Sequence, residues 1–439
     1  MKIYLFFVLI VLVAVGLNTI GRKFLMPQWL WLGQVMTTLA IVLLLGKIAA
    51  PPHSSWFYDF LECYYPAGRL IIENPSSLYD PSKNFVSGFV NIPIFALIFT
   101  PFTTLARRPA VILFGVLGIL FVLASCYFLI RLTKVWGWRQ TALIGLFAIN
   151  GPLYNSLWVG NLTHFVLLLL VAAVLCLEKQ RQVWLGIILA IAALIKLPIL
   201  LLVIYFAGRR KWRVVVGFGA ALLAIAGASL LLFGLDLHLT WLHYIQQVSG
   251  QPISGYSVQS VDGFLSRLLL APSGELENWA PIAVGWKYKL IRYALISLLV
   301  GPTIWICWRS KSPTTFVEEN LEFSIVLCLA LVISPISWTH YYLFLLLPFA
   351  LYLGNRIGVP EGRLWSSLVG TSILLTSLPE IVLSPTNPVL RFLYSKWLIS
   401  NYFFGGVLLL GVLLAARWYT AKRSSLSLPR NRLMGKIGS

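Results

Sequence analysis

Asp59 stands in Ser55-Trp56-Phe57-Tyr58-Asp59-Phe60, a few residues after a long apolar run. A carboxylate flanked by aromatic rings can serve as a general base, because apolar neighbours raise its pKa towards the working range. Glu62, three residues on, would share a helical face with it and is the rival base. Lys196, in Ala193-Leu194-Ile195-Lys196-Leu197-Pro198, interrupts an apolar stretch from 183 to 207. A buried ammonium there suits an anionic phosphate; the plainer reading is a lysine snorkelling to an interface. In Ser334-Pro335-Ile336-Ser337-Trp338-Thr339-His340-Tyr341, His340 can donate to a sugar hydroxyl or a phosphate, and Trp338 can stack on a sugar face. Tyr256 to Phe264, with Gln259 inside it and Arg267 beyond, is a polar stretch between apolar runs. Arg69, Asn91 and Asn161 are further polar groups. Taken singly, each has a bland alternative: a solvated loop acid, a satisfied structural histidine, a loop leading into a helix.

These residues are set in 439 residues that are 59% hydrophobic and only 11% charged. A soluble domain carries roughly a quarter charged residues. The composition excludes a soluble enzyme, a disordered chain and a nucleic-acid module. The balance of 34 Lys+Arg against 14 Asp+Glu gives +20, but the positive charges flank apolar runs, as membrane topology requires, instead of forming a phosphate-binding stripe. No nucleic-acid partner is expected.

About thirteen apolar runs follow one another, so the expected fold is all-α, a polytopic transmembrane helical bundle. They fall near 3–20, 28–50, 109–130, 141–152, 162–178, 183–195, 197–207, 214–233, 291–308, 321–337, 341–354, 364–383 and 402–419. Several are shorter than the ~20 residues needed to cross hydrocarbon alone, so they belong inside a bundle or against a polar cavity. The first run lacks a small-residue cleavage site and precedes Gly21-Arg22-Lys23; it reads as a retained span, not a signal peptide. The five cysteines form no CxxC or Cys/His cluster, so neither a disulfide framework nor a metal site is expected.

Short basic loops set the orientation. Arg131-Lys134-Arg139, Lys179-Arg181, Arg209 to Arg213, Arg309-Lys311, Arg356-Arg363 and the tail alternate with two long polar stretches, 51–108 and 234–290. The positive-inside rule puts the basic loops in the cytoplasm and the two polar stretches outside. The stretch 183–207 is basic at both flanks, so it should go out and come back as two short helices with Lys196 at the turn. The segment 91–106 is expected as a helix lying in the outer interface, started by Pro93 and kinked at Pro101.

The order of these motifs resembles glycosyltransferase family 87. The resemblance runs over roughly 55–350: Asp59, then Tyr65-Pro66-Ala67-Gly68-Arg69, Leu78-Tyr79-Asp80, Pro93, Gly160-Asn161, Lys196-Leu197-Pro198, Gln259-Ser260 with Arg267, and Ser334 to His340. It implies a GT-C architecture with outer-face interfacial helices: one domain over 1–420 and a basic cytoplasmic tail over 421–439. Asp59 matches the position implied as catalytic base. Lys196 and Arg267 match positions expected near the donor phosphate, and His340 one that lines the sugar site. Tyr341 stands where many members carry a second His, and Asn161 where they carry Gln.

The implied activity moves a sugar, mannose by resemblance, from a polyprenyl-phosphate donor to a lipid-linked or glycan acceptor at the outer face of the cytoplasmic membrane. Direct displacement inverts the anomeric centre. Cationic side chains can stabilise the leaving lipid phosphate, so no metal or other cofactor is expected. The competing class is a lipid or glycan transporter or flippase, which favours ionisable residues inside spans and an internal repeat. No repeat is seen, and Glu322 and Glu380 fall near the ends of their runs.

Overall fold

The computed structural model describes residues 56–80, 88–309 and 312–426. The expected spans 3–20 and 28–50 lie outside the described residues, as does the end of the tail. Within them the protein is helical, and its one β-bridge pairs Val258 with Trp338.

The chain enters on a π-helical turn, Asp59–Tyr64, that runs into α1 (Tyr65–Glu73). A 3-10 helix, Pro93–Phe99, leads into the short α2 (Thr100–Thr103). Pro93 opens the first and Pro101 sits in the first turn of the second, where a missing N–H costs nothing. Together they are too short to cross a bilayer. Then come α3 (Arg107–Thr133), α4 (Trp138–Ile149), α5 (Gly151–Trp158), α6 (Thr163–Glu178) and α7 (Gln182–Ile195). A 3-10 turn, Leu197–Ile199, joins α7 to α8 (Leu200–Gly208). The rest is α9 (Trp212–Ser249), α10 (Val261–Leu269), α11 (Trp286–Arg309), α12 (Phe316–Ile333), a 3-10 segment Thr339–Leu345, α13 (Leu346–Leu353), α14 (Arg363–Ser377), α15 (Pro388–Lys396) and α16 (Asn401–Leu426).

Four described helical segments are long and apolar enough to cross a membrane: Arg107–Thr133, Trp212–Gln247, Trp286–Trp308 and Pro388–Ala421. The protein is a membrane protein. The remaining apolar helices are shorter, α6, α7 and α8 among them. Short helices cannot be left in lipid with frayed ends, and these bury their faces in one large core. Leu167, Leu170, Leu189, Ala192, Leu202 and Leu327 are almost completely buried there.

Three boundaries differ from the sequence expectation. The stretch 234–290 is not one loop: α9 continues through a break at Gly234 (φ 73°, ψ 172°) to Ser249, and α10 follows. Asp236 and His238 depress hydropathy there without ending the helix. The run 364–383 stops at Ser377, because Leu378 precedes Pro379 and takes an extended conformation. α16 runs to Leu426, past the expected start of the tail.

Candidate active site

Gly160 and the residues around it bring the entry turn to the helical core. Phe57 N donates to Trp158 O and Asp59 N to Val159 O, each at 2.8 Å. This ties residues 57–59 to the end of α5. Gly160 has φ +68°, and a Cβ there would lie 2.8 Å from the Phe57 ring and 2.9 Å from Phe60 Cβ. Both the backbone conformation and the close approach require glycine. Asn161 follows immediately, and its side chain reaches two residues distant in sequence. Nδ2 donates to Asp59 Oδ2, and Oδ1 accepts from Lys196 Nζ at 2.9 Å. Oδ1 also accepts from Thr163 N and Thr163 Oγ1 at the start of α6. An amide can donate to a carboxylate through one end and accept from an ammonium at the other.

Lys196 sits at the turn between α7 and α8 in an extended conformation (φ −135°, ψ 95°), 5% exposed. As expected, two half-length helices meet at this turn. α7 packs closely on α9, and a Cβ at Gly186 would fall 2.0 Å from Val214 O. The ammonium lies 4.4 Å from the centre of the Tyr341 ring. A ring face and an amide oxygen leave ammonium protons for an anion. Burial pushes the Asp59 carboxyl pKa up, and the Asn161 hydrogen bond and the Lys196 charge only partly oppose it.

His340 belongs to the same neighbourhood. Its ring meets Tyr341 edge-on at 5.2 Å and lies nearly parallel to Trp338, 15° off at 6.5 Å. Trp338 is partly exposed and also packs on Trp279 at 5.9 Å. The 337–339 segment is held by residues 257–259: Gln259 N donates to Ser337 O at 2.6 Å and Thr339 N to Ser257 O at 2.7 Å.

Four sequence candidates lie elsewhere. Glu62 does not share a face with Asp59, because the segment is π-helical and turns less per residue than an α-helix. It points outward, 3.9 Å from Arg107. Arg69 is exposed and pairs with Glu73 at 2.8 Å, one turn on. Arg267 is completely buried and its donors are taken: Nη1 by Gly255 O and Val258 O at 2.9 and 2.7 Å, Nη2 by Ser400 Oγ at 2.9 Å. It clamps the loop that pairs with Trp338. Gln259 does similar work, its Nε2 donating to Tyr256 O and Ile399 O.

Sequence reasoning missed three residues that the fold adds, Asn155, His164 and Glu380, and read Tyr341 only as a departure from the family pattern. His164 stands three residues after Asn161 on the same helix start, a signal that was available; its Nδ1 meets Ser156 Oγ at 2.9 Å. Asn155 and Glu380 form no local motif. Among the described residues no cluster of three His, Cys, Asp or Glu side chains can hold a metal ion.

The profile of glycosyltransferase family 87 matches residues 89–335. A polyprenol-phosphate-mannose-dependent alpha-(1-2)-phosphatidylinositol pentamannoside mannosyltransferase of Mycolicibacterium smegmatis is 26% identical over 332 residues, 70% of this chain and 73% of that protein. Its namesake from Mycobacterium tuberculosis is 24% identical over 418 residues, 88% and 89% of the two chains. A phosphatidylinositol mannoside mannosyltransferase of M. tuberculosis, with the same donor in its name, is 23% identical over 287 residues, 61% and 62%. With more than half of its length matched by the family profile, the chain belongs to glycosyltransferase family 87 and is a membrane glycosyltransferase.

Proposed function

We propose that the protein transfers a sugar from a polyprenyl-phosphate donor to a membrane-bound glycolipid or growing glycan, with inversion and without a metal. The observation that carries this reading is the Asp59–Asn161–Lys196 bridge, which fixes a base and a cation at either end of one buried amide. Mannose is the proposed sugar, because the relatives named above use polyprenol-phosphate-mannose.

Asp59 Oδ2 accepts from Asn161, and Oδ1 takes the proton of an acceptor hydroxyl as that oxygen attacks the anomeric carbon. The bond from carbon to lipid phosphate breaks, and the phosphate leaves with its charge held by Lys196. A cation placed before the reaction needs no reorganisation as that charge develops, which is why a metal is dispensable here. Arg267 has no part in this step: its guanidinium is committed to backbone carbonyls and Ser400. His340 and Trp338 line the sugar. The positive-inside pattern puts the reaction at the outer face of the cytoplasmic membrane, within one unit over 1–420 that carries a basic cytoplasmic tail over 421–439.

The test uses the full chain in lipid nanodiscs with polyprenyl-phosphate mannose and a crude lipid extract as acceptor. Transfer that persists in EDTA and disappears in Asp59→Asn is expected. Silence across a panel of polyprenyl-phosphate sugars would remove the donor assignment. Activity surviving in Asp59→Asn would remove the base.

A further inference from the structure

One buried carboxylate has no role in the chemistry above. Glu380 follows α14 in the turn Leu378-Pro379-Glu380 and is 9% exposed. Burial pushes its carboxyl pKa up to about 7, against a hydrogen bond from Thr339 and the charge of Arg267. Thr339 Oγ1 donates to Oε1 at 2.6 Å, and Asn155 Nδ2 donates to Oε2 at 3.1 Å. The amide oxygen of Asn155 faces the other way and meets His340 Nδ1 at 3.3 Å.

With Glu380 ionised, the donors in this chain can be ordered in one way only. An ionised carboxylate accepts and never donates, so Asn155 must turn its NH2 to Glu380 and its oxygen to the imidazole. A ring nitrogen facing a carbonyl oxygen must carry the proton. His340 is therefore the Nδ1–H tautomer, with a lone pair on Nε2. Nε2 is buried and meets no partner among the described residues. The imidazole plane, in which that lone pair lies, is nearly parallel to the Trp338 ring. Such a nitrogen accepts a hydrogen bond; it cannot donate one to a phosphate.

We infer that Glu380 is a positioning residue for sugar transfer: through Asn155 it holds His340 as an acceptor, so that Nε2 receives the O–H of a sugar hydroxyl. The inference rests on the proposed reading in which His340 lines the sugar site. It reverses the donor role that the sequence offered for this histidine, and it gives the site a means of selecting a sugar by the position of one hydroxyl.

The test reverses the relay and then restores it. Glu380→Gln keeps the shape of the side chain but can turn its amide NH2 to Asn155. With the Thr339 hydrogen bond kept, that NH2 faces Asn155, which then flips, offers its own NH2 to Nδ1 and moves the proton onto Nε2. If the NH2 goes instead to Thr339 Oγ1, the hydroxyl proton passes to Ser257 O at 3.2 Å and the ring stays as it was. Adding Asn155→Asp to Glu380→Gln restores the order, because the introduced carboxylate accepts both from the introduced amide and from Nδ1–H. The readouts are the 15N resonances of the histidine ring in nanodiscs at pH 8, where Glu380 is ionised, and the rate of transfer from polyprenyl-phosphate mannose. The His340 signals are assigned by their loss in His340→Asn.

Wild type is expected as Nδ1–H. Glu380→Gln is expected as Nε2–H, with kcat/KM lower by roughly tenfold or more, since a buried hydroxyl then faces a donor. The double variant is expected to recover both. A wild-type ring protonated on Nε2, a loss of transfer in Glu380→Gln with the tautomer unchanged, or a double variant no better than a Glu380→Gln variant that has switched tautomer each overturns the relay. The wild-type spectrum decides the tautomer even if a variant fails to fold. A wild type silent towards every polyprenyl-phosphate sugar overturns the transferase reading instead, and the ring spectra still decide the relay.

Discussion

Two buried charged clusters in this protein are built on opposite terms. Glu322, in the second turn of α12, is 0% exposed, and both its oxygens are saturated. Oε1 takes hydrogen bonds from Arg209 Nη2 and Arg417 Nε, and Oε2 takes them from Tyr205 Oη and Arg209 Nε. Lys211 and Glu319 form a second pair beside it at 2.7 Å. The Asp59 cluster is built incompletely. His164 and His340 each leave Nε2 buried without a partner, and so does the Ser337 hydroxyl. A satisfied buried network is a clasp, here joining α8, α12 and α16. An unsatisfied one costs stability; His164 Nε2 abuts Gly118 in α3, and at His340 the proposed sugar hydroxyl would supply the missing partner.

The largest contrast comes from removing one carboxylate from each. Asp59→Asn is expected to lower kcat by roughly 10²–10⁴-fold, the usual worth of a general base. Its thermal midpoint should not fall. Burial raises the Asp59 pKa above its unfolded value, so the folded state binds the proton more tightly. Stability therefore decreases as pH rises through the window between the two values, and the neutral amide is free of that cost. Glu322→Gln should do the reverse. Two guanidinium groups are left facing a neutral side chain, and removing one partner from a buried ion pair costs about 3–5 kcal/mol. Melting in nanodiscs should drop by many degrees, while the kcat of the folded fraction stays unchanged. A stable, inactive Glu322→Gln would erase the distinction between the clusters.

Next in size is Lys196→Met. Loss of the cation at the departing phosphate should lower kcat by about 10²-fold, as for the loss of one preorganised donor. KM for the donor should change much less, and Lys196→Arg should not fully restore the rate, because a delocalised guanidinium presents a less compact charge to the departing phosphate than an ammonium does. A fall confined to KM would make Lys196 a binding group only.

The pH profile sharpens the same comparison. A base with a raised pKa needs a higher pH to ionise. The acidic limb of kcat/KM should therefore lie above the ordinary carboxylate range, and activity should rise with pH through it. A limb at the ordinary position, or one that persists unchanged in residual Asp59→Asn activity, would assign it to another group.

How far the sequence carried the site depended on distance along the chain. The Lys196 turn was legible because two basic loops bracket an apolar stretch too short for two full crossings. Asp59 stood out through the order of the family motifs; its aromatic setting alone fits a solvated loop acid equally. The bridge between them was not legible: Asn161 is 102 residues from Asp59 and 35 from Lys196, and no periodicity reports a meeting at that range. Glu62 was misplaced because i,i+3 spacing predicts a shared face only if the helix is α. Glu380 was hidden because it reads as the polar end of an apolar run, and only the packing of that turn on α5 gives it Asn155. Arg267 shows the opposite failure: a cation in the right motif is used up by its own loop.

The smallest expected effect tests whether position outweighs charge type. Glu62 and Arg69 follow Asp59 closely in sequence and were natural candidates for chemistry. Both are exposed: Arg69 pairs with Glu73 along α1, and Glu62 faces Arg107 across solvent. Exposed pairs of this kind are screened by water and salt and pay side-chain entropy to form. Arg69→Ala and Glu62→Gln should each leave kcat and the donor KM within about twofold of wild type, and the melting temperature nearly unchanged. Raising the salt concentration should shrink even that difference. A large loss in Glu62→Gln would mean that the π-helical turn rearranges when the acceptor binds, bringing Glu62 round to the face that Asp59 now occupies. The same loss in Arg69→Ala would place an anionic acceptor on the outer surface of α1. Near-silence in both would confine the chemistry to the side chains that Gly160 and the Lys196 turn bring together.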